Sequence, residues 1–181
     1  VSHVVNGPGR SVVNASAADT GLPEASADVV FGEAYLTMQP ASRKAKIMEE
    51  LARVVRPGGR IGLHEVCFAP DDLDQERCGA IADDLQRTIK VNVTPLSLRG
   101  WTELLNEAGF DVDTTVTNPL HLLEPRRLIA DEGALGAARF VSRVARDSQA
   151  RARVLAMRAA MHDNADHLQA CVVTATRRSP N

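Results

Sequence analysis

Residues 53 to 65 read "RVVRPGGRIGLHE", a helix running in from the left and a strand running out to the right. The Pro57-Gly58-Gly59 between them has neither the length nor the lysine of a phosphate loop. Upstream, Ile47, Met48, Leu51, Val54 and Val55 fall at i, i+1, i+4, i+7 and i+8, one apolar stripe of an amphipathic helix over Ala41 to Val55. Pro40 stands just before it, as at a helix start. Proline cannot continue the helix, and glycine takes the left-handed conformation that reverses the chain, so the spacing predicts a stop at Pro57 to Gly59. Arg60 to Val66 follows as a strand.

Two earlier runs, Ser11 to Ala15 and Asp28 to Phe31, are β-branched or aromatic and bounded by turn formers, which predicts two buried strands. The order is then strand, strand, helix, strand. A crossover of this length lets successive strands run parallel, which implies an α/β sheet with helices on its faces. Further on, Asp72 to about Lys90 is expected as a helix with Leu73, Ile81, Leu85 and Ile89 on its apolar face. Ser97 can cap another, with Leu98, Trp101, Leu104, Leu105 and Ala108 in a stripe ended by Gly109. Asp111 to Leu122 reads as a strand, about Arg126 to Asn164 as broken helix, and Gln169 to Thr176 as a final strand.

At 181 residues the chain suits one domain, 1–181, with a helical insertion at about 125–166. Its 44% hydrophobic and 24% charged residues are ordinary for a globular protein, and its net charge of −2 offers no pull on nucleic acid or anionic membrane. A small-molecule partner fits better. Cys67, Cys78 and Cys171 form no CxxC pair, which argues against a zinc site or disulfide framework and for a reducing cytoplasm. No apolar run approaches the roughly 18 residues of a membrane span, and the N-terminus lacks the layout of a signal peptide.

Together, "NASAADTGLPEASADVVFGEAYLTM", "ELARVVRPGGRIGLHE" and "SLRGWTELLNEAGFDV" resemble the class I S-adenosylmethionine-dependent methyltransferases, in the small-molecule group that includes ubiquinone and menaquinone methyltransferases. The resemblance covers roughly residues 11 to 113 and rests on Leu22-Pro23, Asp28 opening a strand, a helix ending in Arg-x-x-x-Pro-Gly-Gly, and Ala108-Gly109-Phe110 after a further helix. It implies a Rossmann-like, mostly parallel sheet with an antiparallel C-terminal strand and a helical C-terminal extension. It also implies S-adenosylmethionine as cofactor and a small organic methyl acceptor at O, N or C. In such folds the cofactor lies across the carboxyl ends of the strands. Ala17, Ala18 and Asp19 would then follow the adenine, and Gly32, Glu33 and Ala34 would line the methionine side. Asp19 is the carboxylate for the adenine amine, although the family's acid position, counted back from Leu22, holds Ala18.

The family's first strand, glycine-rich loop and second-strand acid would precede residue 11, where Val1 to Arg10 offers only Gly7-Pro8-Gly9. The expectation is a domain lacking its amino-terminal part, binding the cofactor weakly or not at all by itself. The sheet would then be left with an uncovered strand at residues 28 to 32, which implies a homo-oligomer. A rival reading is a catalytically silent methyltransferase-like protein serving assembly.

His64 is the candidate general base, and Glu65 beside it could fix its tautomer. Adjacent strand residues point to opposite faces, however, so the two cannot share a pocket from a regular strand. Asp71, Asp72, Asp74 and Glu76 lack the EF-hand spacing and read as an acidic helix start. His162 and His167 lie off a common helix face, so no metal site is expected. Arg139, Arg143, Arg146, Arg151, Arg153 and Arg158 have no interleaved aromatics for stacking bases and read as a solvated helix face. Val154, Met157 and Met161 read as core.

Overall fold

A computed structural model describes residues 9–120, 133, 136, 138, 139, 141, 142 and 144–179 of the chain. Gly7, Pro8, the start of the helical stretch near Arg126, and Arg143 lie outside the described residues. The helix expected before Pro57 is α1, Ala41–Val54, with Ile47, Met48, Leu51 and Val54 buried. It hands over to a strand at Val55, five residues before the expected start at Arg60, because Val55 is already extended and paired with Ala27.

Strand β1, Ala27–Glu33, runs parallel to β2, Val55–Phe68. After Ala27 with Val55 the next pair is Val29 with Arg60, so residues 56–59 bulge out of the ladder. Pro57-Gly58-Gly59 is therefore a bulge inside the strand and not a free turn. Gly58 there has φ 73°, and a Cβ on Gly59 would lie 2.8 Å from Val55 Cγ1 and 2.9 Å from the Asp28 carbonyl. Only glycine fits both demands. Outside the bulge, Asp28 receives the Arg56 guanidinium at 2.6 Å.

The remaining elements are α2, Gln75–Ile89; β3, Leu96–Ser97; α3, Leu98–Glu107; β4, Phe110–Pro119; α4, Ser148–Asp163; and β5, Leu168–Arg177. The sheet order is β1-β2-β5-β4, with β3 parallel to the end of β2. β5 is antiparallel to both neighbours, so it alone runs against the other strands. The expected mostly parallel sheet with an antiparallel last strand is thus present. Asp74 accepts from the Arg77 amide and Ser97 from the Gly100 amide, capping α2 and α3. Residues 11–15 form no strand, contrary to expectation: Val12 and Val13 are 63% and 57% exposed, because β propensity without a ladder partner gives no sheet.

Alternation divides the sheet into two faces. Ile61, Leu63, Glu65 and Cys67 of β2 and Cys171, Val173 and Ala175 of β5 point one way and are buried. They pack with Leu36, Met48 and Leu51 and with Trp101 and Leu105 of α3. On the opposite face, Phe68 and Leu168 pack with Ile81 and Leu85 of α2 and Ala160 of α4. Met161 joins that cluster, whereas Val154 and Met157 are only half-buried, because α4 presents one edge to the protein and not a full stripe. Asn164 ties α4 to α2, donating from Nδ2 to the Ala160 carbonyl at 2.8 Å and to Asp84 at 3.2 Å.

Two buried charges hold the segment between β1 and α1. The Glu65 carboxylate accepts from the amides of Tyr35, Leu36 and Thr37 at 3.2, 2.9 and 3.0 Å and from the Thr37 hydroxyl at 2.6 Å. Lys44 Nζ donates to the carbonyls of Gln39 and Thr94 at 2.8 and 2.6 Å and to the Thr94 hydroxyl at 2.6 Å, and sits 5.7 Å from the Trp101 ring centre. Burial lowers the Lys44 pKa to about 8, against the raising field of Glu65. At the far end of α1, Glu50 takes hydrogen bonds from Arg53 and from the Thr20 hydroxyl and amide, which together hold its pKa down at about 2.

Glu65→Gln should destabilise the fold by about 3 kcal/mol, because an amide NH2 would face donors where an acceptor is needed. Urea denaturation should show a lower midpoint at unchanged slope.

Stability should also depend on pH in two windows. Unfolded Lys44 holds its proton up to about 10.5 and folded Lys44 only to about 8, so stability rises with pH between those values. Tyr35, raised from 10 to about 12 by burial and then by Glu65, works the other way above pH 10. In acid, the contribution of Glu50 is complete above about 4.5 and is lost as pH falls towards 2. Melting temperatures followed against pH should lose the alkaline rise in Lys44→Met and flatten the acid limb in Glu50→Gln.

Candidate functional site

The parallel register sets Glu33, the last residue of β1, beside His64 of β2. Glu33 Oε1 lies 3.6 Å from His64 Nδ1, and the two side chains are 70% and 50% exposed. This is ion-pair distance, slightly longer than a hydrogen bond. Glu65 points to the other face and is committed to residues 35–37, so the carboxylate that flanks His64 is Glu33 and not Glu65. Residue-by-residue alternation forces this outcome. The Ala34 amide donates to the His64 carbonyl at 2.8 Å, and Ala34 itself has φ 51°. Gly32 is required by close packing, since a Cβ there would overlap the Tyr35 ring.

A hollow of about 230 Å³ opens over this region, lined by Phe31, Gly32, Glu33, Gly62, His64 and Val172 among others. Pockets that enclose a whole drug-sized ligand measure roughly 300–1,000 Å³. The hollow can therefore take a fragment of a cofactor and not the whole of it.

Ala17, Ala18 and Asp19 form a separate group. The Asp19 amide donates to the Ser16 carbonyl at 3.0 Å and the Ala18 amide to Ser16 Oγ at 3.2 Å. Ala17 and Ala18 lie half-buried against the main core, and Asp19 is exposed. The turn is fastened to the C-terminal half of α1 by Thr20, which donates to Glu50, and by Arg53, which donates to the Leu22 carbonyl at 2.7 Å. Glu33 and Ala34 instead lead into the N-terminus of the same helix.

Other candidates resolve into structural roles. Asp71 accepts from the Arg99 amide, Asp74 caps α2, and His167 Nδ1 lies 3.2 Å from the Ala69 carbonyl. Among the described residues no group of three His, Cys, Asp or Glu could hold a metal ion. Arg139, Arg146, Arg151, Arg153 and Arg158 are all exposed. No described helix is long and apolar enough to cross a membrane. Sequence reasoning missed Lys44 and Thr37. Lys44 occupies i relative to Ile47, Met48 and Leu51 at i+3, i+4 and i+7, and a lysine inside an apolar stripe was the available signal. Thr37 carried none.

Residues 3–63 match the family described as a methyltransferase domain. An uncharacterised protein of Haemophilus influenzae is 33% identical over 130 residues, which is 72% of this chain and 50% of that protein. The chain thus spans half the length of this relative. Among solved structures, a putative sarcosine dimethylglycine methyltransferase from Galdieria sulphuraria superimposes with a TM-score of 0.63 at 18% identity, covering 91% of this chain and 58% of that one. A phosphoethanolamine N-methyltransferase 2 of Haemonchus contortus, solved with S-adenosyl-L-methionine, gives 0.56 at 16% identity, covering 91% and 36%. Residues 3–63 are thus similar in sequence to the methyltransferase-domain family, and over nine-tenths of its length the chain shares its fold with solved methyltransferases.

Proposed function

We propose that the chain takes part in S-adenosylmethionine-dependent methyl transfer to a small organic acceptor at O, N or C, in the cytoplasm. The observation that carries this reading is the Glu33–His64 pair on the parallel strands β1 and β2 of a methyltransferase fold. The donor set fits the cofactor's chemistry: an exposed carboxylate for its ammonium group, and the small residues Gly32, Ala34, Ala17 and Ala18 where flat or bulky parts must approach the backbone. Glu33 would hold the methionine side, and Asp19 with its alanine neighbours the adenine side. When bound, S-adenosylmethionine supplies an electrophilic methyl group on a sulfonium. His64 would accept the acceptor's proton at Nε2 while Glu33 at Nδ1 holds the ring's tautomer and orientation. Little more is needed, since in-line positioning supplies much of the acceleration in such transfers.

The loop after β1 supports the same reading. Glu65 and Lys44 pin residues 35–39 from two sides, so the backbone next to Glu33 is held in one geometry before any ligand arrives, which lowers the ordering cost of binding. The second reading, a silent methyltransferase-like chain serving assembly, draws on the uncovered apolar part of the sheet, where Phe31 is 80% exposed.

S-adenosylmethionine titrated into the labelled chain should bind weakly and shift the amide signals of Gly32, Glu33 and Ala34. Glu33→Ala should weaken that binding about tenfold, the worth of one charge-assisted hydrogen bond, with the melting temperature changed by less than about 2 °C because so exposed a carboxylate adds little to the core. Equal shifts in the native chain and in Glu33→Ala would rule the reading out in favour of the silent one.

A further inference from the structure

The chain leaves β1 through two special backbone positions. A Cβ on Gly32 would overlap the Tyr35 ring, so the ring rests against the backbone at the strand's carboxyl end. Ala34 has φ 51°, a left-handed conformation that is costly for a residue with a Cβ and recurs at functional sites. It turns the chain back, and Tyr35 comes to lie over Gly32. The backbone beneath the ring is fixed by four consecutive amides, that of Ala34 donating to the His64 carbonyl and those of Tyr35, Leu36 and Thr37 to the Glu65 carboxylate.

Tyr35 is half-buried against the main core, at the strand ends where doubly wound sheets bind ligands. It offers a π face and a neutral phenol, since burial and then Glu65 raise its pKa to about 12. Two residues earlier stands the exposed carboxylate of Glu33. Gly32 and Glu33 face opposite sides of the sheet by alternation, so a ligand lying across the end of β1 meets the carboxylate on one side and the ring on the other. Together they suit a cation. The carboxylate attracts it, and an aromatic face within about 6 Å adds the pull of its quadrupole.

We infer that Tyr35 is a specificity-determining residue of the cofactor site, one that distinguishes the sulfonium of S-adenosylmethionine from the neutral thioether of S-adenosylhomocysteine left after methyl transfer. This rests on the methyl-transfer reading and adds to it a means of releasing the spent cofactor. The two molecules differ by one methyl group and one positive charge. Contacts with the adenine, the ribose and the ammonium group hold both alike, and Glu33, placed for that ammonium, separates them little. An aromatic face at the sulfur gains a cation–π attraction from the charged form alone. Specificity of this kind is a difference between two affinities, and a contact that only one ligand can make supplies it.

Tyr35 is the single tyrosine of the chain, so ring-labelled tyrosine gives one set of magnetic-resonance signals to follow. S-adenosylmethionine titrated into the full chain should move them, and S-adenosylhomocysteine at equal occupancy should move them clearly less. Tyr35→Leu should bind S-adenosylmethionine about fivefold more weakly, and S-adenosylhomocysteine less than about twofold more weakly, as expected for the loss of one cation–π contact. Tyr35→Phe keeps the face and should keep the preference. Equal losses for the two ligands in Tyr35→Leu, or no loss for either, would overturn the inference. Ring signals that S-adenosylmethionine leaves in place, or that both ligands move equally, overturn it too, and the native chain gives that result even if Tyr35→Leu does not fold. Glu33→Ala, titrated alongside, keeps the methyl-transfer reading separately testable, because its loss should apply to both ligands and leave the preference between them unchanged.

Discussion

The buried carboxylate of Glu65 is the interaction on which the site depends. Four donors from three consecutive residues converge on its two oxygens, so the backbone after β1 is bent around an anion in the interior. A buried charge is tolerated only when its hydrogen-bonding capacity is met, and here the satisfied charge and the shaped loop define each other. Lys44, 21 residues earlier, applies the opposite charge to carbonyls of the same segment and of Thr94. The loop is thereby joined to β2, α1 and the segment before β3. Glu33 and Ala34, which begin it, inherit their positions from these two anchors.

The sheet explains why the cores are unequal. Its first face meets α1 and α3 and buries Trp101, Leu105 and Phe110 completely, with Arg177 closing the lower end by donating to the carbonyls of Ala52 and Gly109. Among the described residues the second face is roofed where β2 and β5 meet α2 and α4. Glu33 and His64 stand on this second face, one row along the ladder from Phe31 and Gly62.

The fold likeness and the family match carry different weight. Structures at 14–18% identity share architecture, and architecture hosts many reactions. The stretch matched in sequence ends at Leu63, one residue before His64. The residues read here as adenine-side and methionine-side lie inside that stretch, and the proposed base lies just beyond it. Roles for Asp19 and Glu33 thus lean on family likeness and geometry together, while a role for His64 leans on its pairing with Glu33 alone.

Local pattern was sufficient for much of this protein. The apolar stripe of α1, the serine cap of α3 and the β-branched run of β5 were legible because each is set by contacts within a few residues. Gly59 was legible as a breaker, but the bulge it permits required Val55 to pair with Ala27. The run at residues 11–15 has the composition of a strand and is not one, since a strand exists only through its neighbour. For the site, alternation alone separated His64 from Glu65. That Glu33 is the carboxylate beside His64 followed from register, which joins residues 31 positions apart. The burial of Lys44 and the use of Glu65 as an anion for three amides belong to the tertiary structure as well, because the charge of a side chain says nothing of which backbone groups will surround it.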